Sequence, residues 1–272
     1  ISAGLPTGSA AITNIAVDNL DANNVFVTFS GYSAGNKVFV TTNGGTSWTK
    51  VTNFTKNPPA ICGLDAVGTT TVYGCGAYFS PAYIIKSIDS GQTWQYIDMS
   101  SFANALVEIL FLNEDTGYVS GKNAQGGVVL KTTDGGVTWT EVFNTNIAGE
   151  YVWKLQLLST NENVIFGSVE TEMPNSGKLI KSLNAGLTWF SKDFPDVNVQ
   201  AVGFLSETHG WMGGHATGFY ETIDGGNTWT NTNVGSNLNK IFILNCFIAF
   251  FIIRCYQKQK VAYEKQVLPH LC

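Results

Sequence analysis

The 272-residue chain has 13% charged residues, 29 glycines and a formal net charge of −5. Its basic side chains are 14 lysines and one arginine, Arg254. That balance suits strands joined by tight turns and excludes a nucleic-acid binder, which needs a basic patch to neutralise phosphates.

In chain order, ISAGLP (1–6) reads as the close of an outer strand, and ITNIAVD (12–18) as the first strand of a new unit. KVFVTTN (37–43) is a third strand that runs into the turn TTNGGTSW (41–48). ICGLDAV (61–67) and YIIKSID (83–89) repeat the pair and end in SIDSGQTW (87–94). The next unit shows all four strands: VEILFLN (107–113), TGYVSGK (116–122), VVLKTTD (128–134) and TWTEVFN (138–144), around the turn TTDGGVTW (132–139). WKLQLLS (153–159) and KLIKSLN (178–184) lead to SLNAGLTW (182–189), then VQAVGFL (199–205) and GFYETID (218–224) to TIDGGNTW (222–229). LNKIFILN (238–245) reads as one more first strand. No segment carries helical periodicity of useful length.

The turn signature recurs five times, its tryptophans 46, 45, 50 and 40 residues apart, which is the length of a four-stranded propeller blade. The Asp or Asn of each turn (Asn43, Asp89, Asp134, Asn184, Asp224) is placed to accept hydrogen bonds from its own backbone. The glycine two residues later (Gly45, Gly91, Gly136, Gly186, Gly226) suits a positive φ. The closing Trp (Trp48, Trp94, Trp139, Trp189, Trp229) supplies apolar area to lock the hairpin to its sheet. One such sheet leaves two faces to hide, and radial stacking hides both. The expected fold is therefore all-β, a propeller of four-stranded antiparallel blades, five of them with the turn signature plus a partial one.

The signature S/T-x-D-x-G-x-T-W resembles the Asp-box, or BNR repeat, over residues 1 to about 244. The box occurs in sialidases, xyloglucanases, sortilin-type receptors and photosystem II assembly-factor propellers. The T-x-D-G-G-x-T-W form, with Gly117-Tyr118 and Gly210-Trp211 in second strands, is most similar to the assembly-factor group and to secreted bacterial propellers. The resemblance implies the fold; the box serves folding in families of unrelated activity.

A sialidase needs three arginines around a substrate carboxylate, and the repeat region has none. A xyloglucanase-like hydrolase needs two carboxylates across a cleft, about 5–10 Å apart. Glu108, Glu150, Glu170 and Glu172 are the candidates, with solvated loop carboxylates as the ordinary alternative. The assembly-factor role depends, in that family, on a basic arginine-bearing surface, whereas this repeat region holds 11 lysines against 19 acids. The box acids sit one per blade and do not converge as a calcium site requires, and His209 and His215 lack a third ligand, so neither metal nor cofactor is expected.

Blade geometry puts the boxes at one end. The other end is expected to show Tyr32, Phe79, Tyr83, Glu108, Tyr151, Trp153, Lys154, Met173 and His215. Exposed aromatics with polar neighbours suit a protein or glycan ligand; packing between blades is the alternative use. The expectation is a non-catalytic interaction module of an exported bacterial protein, secreted or at the cell surface. The alternatives are part of a xyloglucanase-like hydrolase, or a chaperone of the photosystem type.

Cys62 and Cys75 fall in one hairpin, where a disulfide, which an exported protein allows, and buried free thiols are the two alternatives. The chain opens at Ile1 without a leader, as a mature or excised fragment would. The propeller is expected over 1–245. Residues 246–272 depart from it: no glycine follows Gly235, no box follows, and three of five cysteines gather there. The run IFILNCFIAFFII (241–253) is 13 residues, too short for a spanning helix of about 20. No second strand is expected after 245; a non-native tail is the simplest reading and a membrane anchor the alternative.

Overall fold

The computed structural model describes residues 3–6, 12–18, 20–29, 37–76, 81–215, 218–232, 238–245, 248–254 and 261–267, with backbone alone for 239, 242 and from 244 onward. All the regular structure in these residues is β-strand. They form two compact units, 1–124 with 128–141, and 125–127 with 142–272.

The first unit contains the sheets β1 (Ile12–Val17) to β4 (Thr49–Lys50) and β5 (Gly63–Val67) to β8 (Gln95–Asp98). It also contains the body of a third sheet, β9 (Ala105–Phe111), β10 (Gly117–Lys122), β11 (Gly127–Thr132) and β12 (Thr140–Asn144). The second unit holds β13 (Tyr151–Leu158) to β16 (Phe190–Asp193) and β17 (Val199–Phe204) to β20 (Thr230–Asn231). A three-stranded sheet, β21 (Leu238–Asn245), β22 (Ile248–Arg254) and β23 (Val261–Val267), follows. Each four-stranded sheet is a sequential meander, so each strand is hydrogen-bonded to its chain neighbour.

Within each unit, neighbouring sheets pack through equivalent positions. In the first unit, Tyr73 stacks on Phe111 with ring centroids 3.7 Å apart. In the second, Phe166 stacks on Phe204 at 3.9 Å, with planes 4° apart. The residue opposite each ring on the preceding strand clamps the same residue of the next sheet: Asp65, opposite Tyr73, accepts from Phe111 N–H through Oδ2 at 2.7 Å. In the second unit, Phe204 N–H donates to Gln156 Oε1 at 2.6 Å, and Gln156 Nε2 donates back to Phe204 O at 2.8 Å. The repeat therefore carries a specific interlock as well as apolar burial.

First strands share a second device. The register skips one residue at Thr13, Val107, Trp153, Gln200 and Asn239, a β-bulge at the same end of β1, β9, β13, β17 and β21. Such a bulge turns one additional side chain out of the pleat and bends the strand.

One expectation needs correction. Residues after 245 do continue as strands: β22 pairs with β21 (Phe242↔Phe250) and β23 with β22 (Phe251↔Glu264). The apolar run divides into two antiparallel strands, which length alone does not separate from one continuous segment. Of the two alternatives for Cys62 and Cys75, the structure has free thiols. Cys62 and Gly63 both meet Cys75 across the ladder, and the Cys75 sulfur lies 2.8 Å from where a Cβ on Gly63 would stand.

Candidate functional site

All five boxes share one bonding pattern built around a hydroxyl, and they differ at the closing Trp, since Trp229 Nε1 has no hydrogen-bond partner. Thr41, Ser87, Thr132, Ser182 and Thr222 are each no more than 2% exposed. In the third box, Thr132 Oγ1 donates to Asp134 Oδ1 at 2.8 Å and accepts from Gly136 N–H at 2.9 Å. Asp134 Oδ1 also accepts from Thr138 N–H at 2.9 Å, and Oδ2 accepts from the Thr138 hydroxyl at 2.6 Å. Trp139 Nε1 closes the turn on Gly136 O at 3.2 Å. In the Asn boxes the side-chain amide takes over the last polar contact, donating from Asn43 to Ser47 and from Asn184 to Thr188 at 2.9 Å.

Sequence reasoning gave the buried hydroxyl no role, although it stands first in every signature. It also missed the residue before each glycine, which is left-handed too: Gly44, Gly135 and Gly225, but also Ser90 (φ 55°) and Ala185 (φ 54°). The Gly-Gly dipeptides of three boxes were the available signal. Only Trp94 and Trp139 of the five box tryptophans are buried; Trp48, Trp189 and Trp229 stay half-exposed.

Thr132→Val keeps the shape of the side chain but strands the buried Gly136 N–H, and is expected to destabilise the first unit by about 1–3 kcal/mol. Urea unfolding within about 0.5 kcal/mol of the parent would show that the hydroxyl is dispensable.

These bonds also set the acid response. Hydrogen bonds from the Thr138 hydroxyl, its N–H and Thr132 hold the Asp134 carboxyl down to about 2. The same arrangement, led by Thr228, holds Asp224 at about 2. At Asp89, burial raises the carboxyl, but bonds from Thr93, Ser87 and Gln92 outweigh it and leave it lowered. A depressed folded pKa adds stability that is fully present above the unfolded value of about 4 and is lost as pH falls toward 2. Asn already serves at two boxes, so the triple change of Asp89, Asp134 and Asp224 to Asn is expected to fold and to flatten the fall of Tm between about pH 4 and pH 2. Parallel Tm–pH curves for parent and variant would refute this assignment.

The other end of the blades is different. Tyr83 is fully buried, stacked on Tyr96 at 4.9 Å, with its hydroxyl bonded to Ala60 O. It is a packing residue and not part of an exposed face; burial, the largest influence, raises its phenol. Glu108 is 3% exposed and lies mid-strand opposite Ser120, so it is neither a loop carboxylate nor a surface contact. Tyr32 and Phe79 lie outside the described residues. Strand register could not be read from alternation alone here, because these sheets bury both faces.

In the second unit, Tyr151 and Trp153 come together at the end remote from the box. Ser182, the first residue of its box, pairs with Ile165 on β14 (Asn161–Glu170), whereas Tyr151 pairs with Glu170 at the opposite end. The bulged Trp153 stacks on Tyr151 with centroids 5.2 Å apart and planes 22° apart. Gln200, the bulged residue of β17, donates Nε2 to Glu170 at 3.3 Å. Burial pushes the Glu170 carboxyl up; the Gln200 bond opposes the shift and the charge of Glu172 adds to it. Glu150 is 1% exposed and ion-paired with Lys178. Lys154 is half-buried opposite Ser168 and already partnered. Met173 is 79% exposed, and His215 is exposed with its backbone held on Asn198.

At the box end of the same unit, a groove of about 320 Å³ runs past Leu183 and Phe190. Its lysines are committed, Lys181 to Glu207 O at 3.0 Å and Lys192 to Asn227 Oδ1 at 2.6 Å.

Comparison of the sequence with protein-family models and with curated proteins finds no match. Solved structures do match. The GH74 xyloglucanase from Xanthomonas campestris superposes with a TM-score of 0.64 at 14% identity, over 89% of this chain and 43% of the enzyme. The WD40 β-propeller domain of Doa1 gives 0.60 at 13% identity, over 100% of this chain and 87% of the other. The chain has a β-propeller fold. A structure of YCF48 bound to D1 peptide gives a TM-score of 0.50 at 16% identity, over 98% of this chain and 96% of that one. The propeller resembles both the photosystem assembly-factor type and the GH74 type, and it spans less than half the length of the GH74 enzymes.

Proposed function

We propose that the chain is a non-catalytic binding module of an exported bacterial protein, a propeller that takes a protein segment at the blade ends remote from its boxes. The observation that carries this reading is the division of labour between the two ends of the second unit. The box carboxylate and amide groups are spent on their own turns. At the remote end, the half-exposed Tyr151–Trp153 stack sits beside the polar pair Glu170–Gln200. Rigid aromatics with polar neighbours are what protein recognition uses.

The test is binding of the 272-residue chain to peptide and glycan arrays, repeated with Tyr151→Ala and Trp153→Ala. Peptide hits that both variants lose support the reading. An absence of hits, or hits that neither variant alters, would overturn it.

A second reading, part of a xyloglucanase-like hydrolase, draws support from the likeness to GH74 propellers and from the raised Glu170 carboxyl. Release of reducing sugar from xyloglucan, abolished by Glu170→Gln, would put it first. The assembly-factor reading would be favoured instead by array hits confined to photosystem II peptides.

A further inference from the structure

The remote end of the second unit has a definite chemical character. Trp153 and Gln200 are both turned out by bulges, one on β13 and one on β17. The first stacks on Tyr151 and the second bonds Glu170, which lies opposite Tyr151 in the register. Aromatic faces and a carboxylate thus share one edge, with Glu172 two residues further along the chain.

Nearby positive charge is already used. Lys178 Nζ is bound to Glu150 Oε1 and lies 3.4 Å from Ser176 O, and Lys154 is partnered. Two buried polar atoms beside this edge lack hydrogen-bond partners, Glu150 Oε2 and Trp153 Nε1. The first calls for a donor and the second for an acceptor.

We propose that this edge holds a cationic side chain, arginine or lysine, of the bound protein segment. Its charge would lie between the Tyr151–Trp153 aromatic surface and the Glu170 carboxylate, and a carbonyl of the segment would accept from Trp153 Nε1. The proposal rests on the reading that this end binds a protein segment. A neutral polyol satisfies an indole N–H equally well, but it does nothing for two neighbouring carboxylates. A cation meets both carboxylates and the π-faces at once. The raised Glu170 carboxyl agrees, since a partly desolvated carboxylate gains most from an arriving positive charge.

The experiment titrates the full chain with acetyl-Gly-Arg-Gly-amide and with the same peptide carrying citrulline, a neutral isostere of arginine. Calorimetry and the Trp153 indole N–H resonance, assigned with Trp153→Phe, are the readouts. The arginine peptide is expected to bind at least about tenfold more tightly and to shift the indole resonance, and Glu170→Gln is expected to reduce the preference to about twofold. The indole shift is read on the parent protein, so the outcome does not depend on the variant folding. Equal binding of the two peptides, no saturable binding, or a preference that survives Glu170→Gln would overturn the cation site. Array hits lost in Tyr151→Ala but indifferent to arginine would sink this proposal alone and leave the binding-module reading standing.

Discussion

Phe204→Ala is expected to lower the stability of the second unit by about 3–5 kcal/mol, the range for removing a fully buried phenylalanine. Phe204 is 0% exposed, and its ring lies flat on Phe166 of the preceding blade at 3.9 Å. Its backbone N–H and C=O are both held by Gln156. The loss has two parts, the transfer of the ring from water and the cavity left between two stiff sheets. The clamp stays chemically intact in the variant, so the cost falls on packing. Gln156→Leu separates the two effects, because it removes the polar clamp and keeps the ring. Equilibrium urea unfolding of both variants measures the difference. A Phe204→Ala cost below about 1.5 kcal/mol would mean that the blades collapse onto the gap and the stack is not the interlock described here.

Gly121→Ala is expected to be comparably damaging although it adds only one methyl group. A Cβ at this position would stand 1.9 Å from Ala105 O and 2.9 Å from Leu106 Cα, both backbone atoms of the neighbouring strand. No rotamer change relieves a clash with backbone, so β9 and β10 must separate where the bulge at Val107 draws them together. The ladder bond from Asn104 N–H to Lys122 O, 2.9 Å long, lies at the same place. Overpacking in a core costs about 1–3 kcal/mol when side chains can yield, and about 3 kcal/mol or more is expected where they cannot. The exposed Val137→Ala is the neutral control. A Gly121→Ala protein as stable as that control would show that the strands do not approach so closely. Gly76 and Gly214 meet the same kind of obstacle, Ala60 O at 1.9 Å and Asn198 O at 1.8 Å, so the constraint belongs to the blade.

The boxes, the order of strands and the propeller fold were legible in the residues because each depends on short-range chemistry. A Ser or Thr, an Asp or Asn two residues later and a Gly two beyond that bond one another across four positions, whatever surrounds them. Strand length and turn spacing are equally local, and their recurrence at 40 to 50 residues left few alternatives to stacked blades. The left-handed Ser90 and Ala185 were not legible, since neither residue type announces a positive φ. Nor were the bulges, because one skipped residue leaves no mark in composition. Those bulges decide that Trp153 stacks on Tyr151 and that Gln200 reaches Glu170. Tyr83 and Glu108 show the same limit from the other side. Both stand at plausible surface positions, and both are buried because a sheet covered on two faces hides the residues of either parity. Which side chains meet solvent at the remote end is set by how neighbouring sheets pack. That contact joins residues some 30 to 50 positions apart, beyond the reach of any local pattern.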